Sequence, residues 1–175
     1  MREPVTADKV RAFMQALADR LRIETVVRFT GGASAVLEGW RPSTADIDLK
    51  IIPDGEAYGV LAKLKEDLRI NVELATPSDF IPDLPGSKGR DRHIARLGRV
   101  DFYHVDFVAQ ALSKIERGLD QDLADVREMV RRGLVDPREA SRLFDLIEPE
   151  LQRYPAIDPV TFRTAVERAF PVSPS

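Results

Sequence analysis

Gly31 and Gly32 stand a short stretch ahead of Asp46 and Asp48, two aspartates separated by a single isoleucine. A glycine pair allows positive φ and removes the side chains that would hold a ligand off the backbone. The residues after it, ASAVLEGW, suit a short helix beginning near Ala33, whose unpaired N–H groups form a cradle for a phosphate. Ser34 can add a hydroxyl to that cradle. In DIDLKII the apolar residues alternate, so Ile47, Leu49 and Ile51 face a core while Asp46 and Asp48 share the opposite face. Two carboxylates this close repel, and a divalent cation between them relieves the repulsion. With no cysteine and two histidines in the chain, oxygen ligands favour magnesium or manganese.

RINVEL repeats the alternation, with Ile70, Val72 and Leu74 on one face and Asn71 and Glu73 on the other. Laid beside DIDLKII, this strand brings Glu73 to Asp46 and Asp48, and three such carboxylates can hold two metal ions about 3.5–4 Å apart. A seven-residue helix is only about 10 Å long, and the WRPSTA return spans about 18–20 Å when extended. The chain can therefore come back on itself, with the acidic strand antiparallel to the one that ends at Gly31. One chemistry suits phosphate on the glycines beside metal on the aspartates. A nucleoside triphosphate lies in the cleft, an acceptor hydroxyl attacks the α-phosphorus and pyrophosphate leaves. Glu73 is the candidate to help take the acceptor's proton.

The elements that must hold these residues can be read in order. Thr6 caps a helix through about Arg22, with Val10, Phe13, Met14, Leu17 and Leu21 on one stripe. TVVRFT, DIDLKII and RINVEL are strands, with a helix over Tyr58 to Leu68 between the last two. A proline- and glycine-rich stretch from Ala75 to Arg92 reads as a long irregular loop. HIARL and VDFYHV, joined through Gly98, read as a hairpin. From Asp106 on the pattern is helical, with one stripe of Val108, Ala111, Leu112 and Ile115 and another of Leu119, Leu123, Val126 and Val130. Asp136-Pro137 and Asp158-Pro159 each place a capping carboxylate before a proline at the first helical position. The closing PVSPS reads as a frayed end. The fold class is therefore α+β (α/β), a mixed β-sheet packed by helices. An α/β core over 1–105 is followed by a C-terminal helical region over 106–175, packed on it as one compact unit.

Bulk composition narrows the partners. With 43% hydrophobic residues in 175, the chain can bury a real core. A net charge of −3 argues against indiscriminate binding to nucleic-acid backbones. No run approaches the roughly 20 apolar residues of a membrane span, so we expect a cytoplasmic protein without a membrane partner.

The combination of Gly31-Gly32, Asp46-Ile47-Asp48 and Glu73 resembles the minimal core of the DNA polymerase β-type nucleotidyltransferase superfamily. RPSTADIDL and ALSKIERGLDQDLADV are similar to small bacterial proteins related to the nucleotidyltransferases of abortive-infection toxin–antitoxin systems, in a group known only as nucleotidyltransferase-like. The likeness extends to about residue 132. It implies a nucleoside triphosphate substrate, two magnesium or manganese ions on Asp46, Asp48 and Glu73, and a toxin–antitoxin partner. It also implies phosphate contacts from Arg41, Thr44 and Lys114. The second glycine is a departure, since the superfamily often has serine there, and it reassigns any serine contact to Ser34. Arg41 has a plain alternative in a surface ion pair. Lys114, Arg117, Asp122 and Asp125 have one as ion pairs on a helix surface, and His93 and His104 read as structural. The acceptor stays open between RNA, protein and a small molecule. An inactive nucleotidyltransferase fold kept as a binding module or antitoxin-like partner is the alternative function.

Overall fold

The computed structural model describes residues 1–171; the frayed end expected at PVSPS falls, from residue 172, outside the described residues. The chain divides into two compact units, one of residues 1–76 and 91–105, the other of residues 77–90 and the chain from 106 on.

The first unit is a mixed sheet with helices. It comprises α1 (Ala7–Arg20), β1 (Thr25–Thr30), α2 (Gly31–Glu38), β2 (Asp46–Ile52), α3 (Gly55–Asp67), β3 (Asn71–Leu74) and the hairpin strands β4 (Arg92–Leu97) and β5 (Val100–His104). The strand order is β3-β2-β1-β5-β4. β2 is antiparallel to β1 and parallel to β3, β5 is parallel to β1, and β4 closes the other edge antiparallel to β5. The β4–β5 turn needs the left-handed backbone that Gly98 supplies at φ 57°. Thr6 caps α1 by accepting from the Lys9 amide, and Val10, Phe13, Met14 and Leu17 form its buried face. They pack on the inward residues of the central strands, Phe29, Ile47, Leu49 and Phe102, all fully buried. The rings of Phe29 and Phe102 stack at 5.9 Å on neighbouring strands. This apolar layer forces the partner residues of β2 outward, and its burial alternates strictly from Asp46 on.

The second unit is helical: α4 (Ser87–Arg90), α5 (Phe107–Arg117), α6 (Asp120–Arg131), α7 (Pro137–Ile147) and α8 (Pro159–Ala169). Asp106, Asp136 and Asp158 each cap a helix by accepting a backbone N–H two residues on, from Val108, Arg138 and Val160. Two of these caps precede a proline that opens the helix, as the sequence pattern predicts. Arg90 Nε donates to the same Asp106 carboxylate at 2.9 Å, which ties residues 77–90 to the start of α5.

α6 corrects one sequence expectation. Leu119 is 59% exposed and Leu123 and Val130 only half-buried, whereas Asp122, Asp125, Val126 and Met129 form the buried face. Paired cations supplied by α5 allow the two carboxylates to go inside, and the helix is rotated accordingly.

Candidate functional site

β1 ends at Thr30, and α2 starts on the very next residue. Gly31 turns the chain with φ 60°, a left-handed backbone that glycine adopts without strain. The antiparallel register sets Thr30 opposite Asp48, so the turn and the acidic strand meet at one edge. A β-carbon on Gly31 would stand 2.8 Å from Asp48 Oδ2. The glycine bend and the aspartate pair therefore share one place.

The parallel register between β2 and β3 pairs Asp46 with Asn71 and Asp48 with Glu73. All four side chains lie on the face away from the core, Glu73 exposed and the other three half-buried. The Asn71 amide donates to Asp46 Oδ1 at 2.6 Å and to Glu73 Oε1 at 3.2 Å. It is a member of the face that alternation alone places there but to which the sequence assigns no chemistry. Among the described residues no three His, Asp or Glu side chains form a ready-made metal group. The donor set nonetheless has the chemistry of a magnesium or manganese site, because such ions keep several waters and need only one or two protein carboxylates beside substrate phosphates.

Beside Asp46 lies a cleft of about 590 Å³ lined by Arg41, Thr44, Asp46, Asn71 and the N-terminal residues Arg2 and Glu3. Val5 and Thr44 exchange backbone hydrogen bonds at 2.7 and 2.9 Å, which fixes Thr44 at the mouth of β2. The Thr44 side chain rests directly over Gly32, with Oγ1 1.9 Å from where a Gly32 β-carbon would stand.

Ser34 points elsewhere. It is completely buried, and its hydroxyl meets the Phe29 carbonyl at 3.3 Å and His104 Nδ1 at 2.9 Å. The other ring nitrogen, Nε2, lies 3.0 Å from Glu38 Oε1. Burial, with Arg92 nearby, pushes the imidazole down to about 4. At neutral pH the ring is therefore uncharged and carries one N–H. Donation from Nε2 to Glu38 leaves Nδ1 to accept from Ser34. The chain Ser34–His104–Glu38 pins α2, at its middle and at its last residue, to β5. Its serine has no access to a substrate, so this serine–histidine–carboxylate series is a structural tie.

Lys114 belongs to the second unit. Its side chain is 8% exposed, with Nζ 2.8 Å from Asp125 and 3.5 Å from Asp122, and Arg117 Nε donates to Asp122 at 2.7 Å. Burial opposes ionisation of Asp122, but the hydrogen bond from Arg117 and the charge of Lys114 outweigh it and hold the carboxyl below its usual range. Lys114 and the two carboxylates are buried, against the surface pairs that the spacing suggests, while the Arg117 side chain remains 63% exposed.

The glycine bend thus closes on β2, the one strand that carries both carboxylates of the D-x-D pair. Residues 8–158 match the model of a family described as "Nucleotidyltransferase of unknown function (DUF6036)", and the chain belongs to that family. No curated protein and no solved structure matches the chain.

Proposed function

We propose that the protein is a metal-dependent nucleotidyltransferase that moves a nucleoside monophosphate from a nucleoside triphosphate to an acceptor hydroxyl. The observation that carries this reading is the contact between the glycine bend and the acidic strand, with Asp48 Oδ2 2.8 Å from the β-carbon position of Gly31. A phosphate chain on the Gly31–Gly32 backbone would lie against Asp46 and Asp48. Magnesium or manganese on these oxygens, two ions in the fullest form, would supply neutralisation of the developing charge on the phosphates. The chain's own residues then position the reactants. The acceptor oxygen bonds to the α-phosphorus, the bond from that phosphorus to the bridging oxygen breaks, and pyrophosphate departs with the bonding pair. The acceptor's proton passes to the exposed carboxylate of Glu73, which Asn71 orients. No helix among the described residues is long and apolar enough to cross a membrane, and we place the reaction in the cytoplasm. The acceptor class is RNA, protein or a small molecule, and a toxin–antitoxin partner is the cellular setting we favour.

The test is transfer of α-phosphate label from each nucleoside triphosphate, with magnesium or manganese, into total cell RNA, protein or small molecules. Labelled product that disappears in Asp46→Ala and Asp48→Ala supports the reading. Equal labelling by these variants overturns it.

One observation favours a second reading, a nucleotidyltransferase fold kept as a binding module or antitoxin-like partner. The Asn71 amide stands between Asp46 and Glu73 and satisfies both without an ion. Nucleotide binding without transfer to any of the three acceptor pools would select it.

A further inference from the structure

A second cavity, of about 660 Å³, opens on the other side of the sheet from the carboxylates. His104 stands at its back. It pairs in register with Phe29 and is 4% exposed, so it lies on the core side, whereas Asp46 and Asp48 face away from the core. The lining comes from α1, the end of α2 and the β4–β5 hairpin, all within the first unit.

β4 is bulged at this cavity. Arg92 pairs with His104 and His93 with Tyr103, but it is Ala95, not Ile94, that pairs with Phe102. Ile94 is thus an extra residue, and Arg92 to Ala95 line the cavity in succession where a regular strand would offer alternate residues. Leu37, Ile94 and Leu97 stay half-buried there, with apolar surface open to a ligand.

Two cations reach the cavity from different elements, Arg11 from α1 and Arg92 from β4, and both residues are exposed. Arg11 donates to Asp8 at 3.0 Å, but that carboxylate is 96% exposed, and a pair so open to water holds the guanidinium weakly. Beyond burial, the charge of Arg92 disfavours a proton on His104, so its field reaches the back of the cavity. The acid on the lining is Glu38, which faces His104 Nε2 at 3.0 Å. Two arginines against one glutamate leave one positive charge. The volume falls in the range of about 300–1,000 Å³ typical of small-molecule sites.

We infer that this cavity binds a small organic monoanion, an aromatic or aliphatic carboxylate, whose apolar body lies on Leu37, Ile94 and Leu97 and whose charged end accepts hydrogen bonds from Arg11 and Arg92. A phosphate monoester would bring nearly twice that charge against Glu38. The site stands apart from the nucleotide cleft and does not depend on that reading.

The experiment is an NMR titration of the full chain with ring-labelled histidine. The chain has two histidines, so the His104 ring signal is assigned through His93→Gln and reports on the cavity it lines. Phenylacetate and hexanoate are the probes, with phenylacetamide and hexanamide as uncharged controls. At least one carboxylate is expected to move the His104 signal saturably at millimolar concentration and to bind about tenfold more tightly than its amide, because the arginines meet its charge. Arg11→Gln/Arg92→Gln is expected to lose that advantage. Arg99→Gln, which removes a charge at the β4–β5 turn, is expected to keep it. An unmoved His104 signal with both carboxylates, an amide bound as tightly as its acid, a double variant that binds as wild type does, or an equal loss in Arg99→Gln overturns the assignment. If a thermal melt shows that the double variant does not fold, the comparison of acid with amide in the wild type decides. None of these outcomes bears on nucleotide transfer, which is tested separately.

Discussion

Asp48 closes over Gly31, its Oδ2 2.8 Å from the point where a β-carbon on that glycine would stand. Two independent constraints therefore fall on one residue. Gly31 has a left-handed φ of 60°, and it carries nothing that would push the Asp48 carboxylate aside. Gly31→Ala is expected to cost about 1–2 kcal/mol from backbone conformation alone, measured by chemical denaturation, and to reduce nucleotide transfer beyond that loss of stability. A variant as stable and as active as wild type would show that the bend tolerates a side chain.

Asn71 satisfies Asp46 and Glu73 together, so replacing its amide by a third acceptor should set the carboxylates against each other. Asn71→Asp is expected to melt lower than wild type in a chelator, and to regain more stability than wild type does on addition of millimolar magnesium. Thermal melts with and without the ion check this. An unchanged response to magnesium would mean that the face does not gather a cation.

Lys114 neutralises two aspartates that are 0–1% exposed. Removing it leaves buried charge without a full complement of partners, and Lys114→Met is expected to destabilise the protein by about 3–5 kcal/mol. Urea denaturation measures it. A variant within about 1 kcal/mol of wild type would show that solvent reaches these carboxylates.

His104 makes stability depend on pH. Its folded pKa lies near 4, below the ordinary 6.5, through burial and Arg92, with Ser34 and Glu38 as its other neighbours. The unfolded chain binds the proton first, so the contribution of the neutral ring is complete above about 6.5 and is lost as pH falls through about 4, amounting to at most about 3 kcal/mol. Denaturation midpoints between these limits check the slope, and His104→Gln is expected to flatten it. An equal slope in that variant would assign the dependence to carboxylates elsewhere.

Much of the architecture is legible because it follows from short periods. Alternation in DIDLKII separates Ile47 and Leu49 from Asp46 and Asp48, and the same period in RINVEL brings Asn71 and Glu73 to the same face. The aspartate–proline pairs mark the starts of α7 and α8 because capping and proline geometry are local. Contacts between distant residues are not legible in this way. A helix starting near Ala33 leaves Ser34 at its first turn, but α2 starts at Gly31, and the two-residue difference rotates the side chain by about 200°. The partner that fixes the hydroxyl, His104, is seventy residues away. Thr44 over Gly32 has no periodic signature either. On α6 the leucine and valine stripe competes with two aspartates, and the cations of α5 that decide the outcome come from another helix.

The central claim is that the glycine bend and the acidic pair make one nucleotide-processing cleft. Its most direct test is the transfer rate from α-labelled nucleoside triphosphate with magnesium for wild type and Asp48→Asn, a change that keeps shape and removes charge. The account predicts a loss of about a hundredfold or more in a variant that melts as wild type does. Undiminished transfer by folded Asp48→Asn would contradict it.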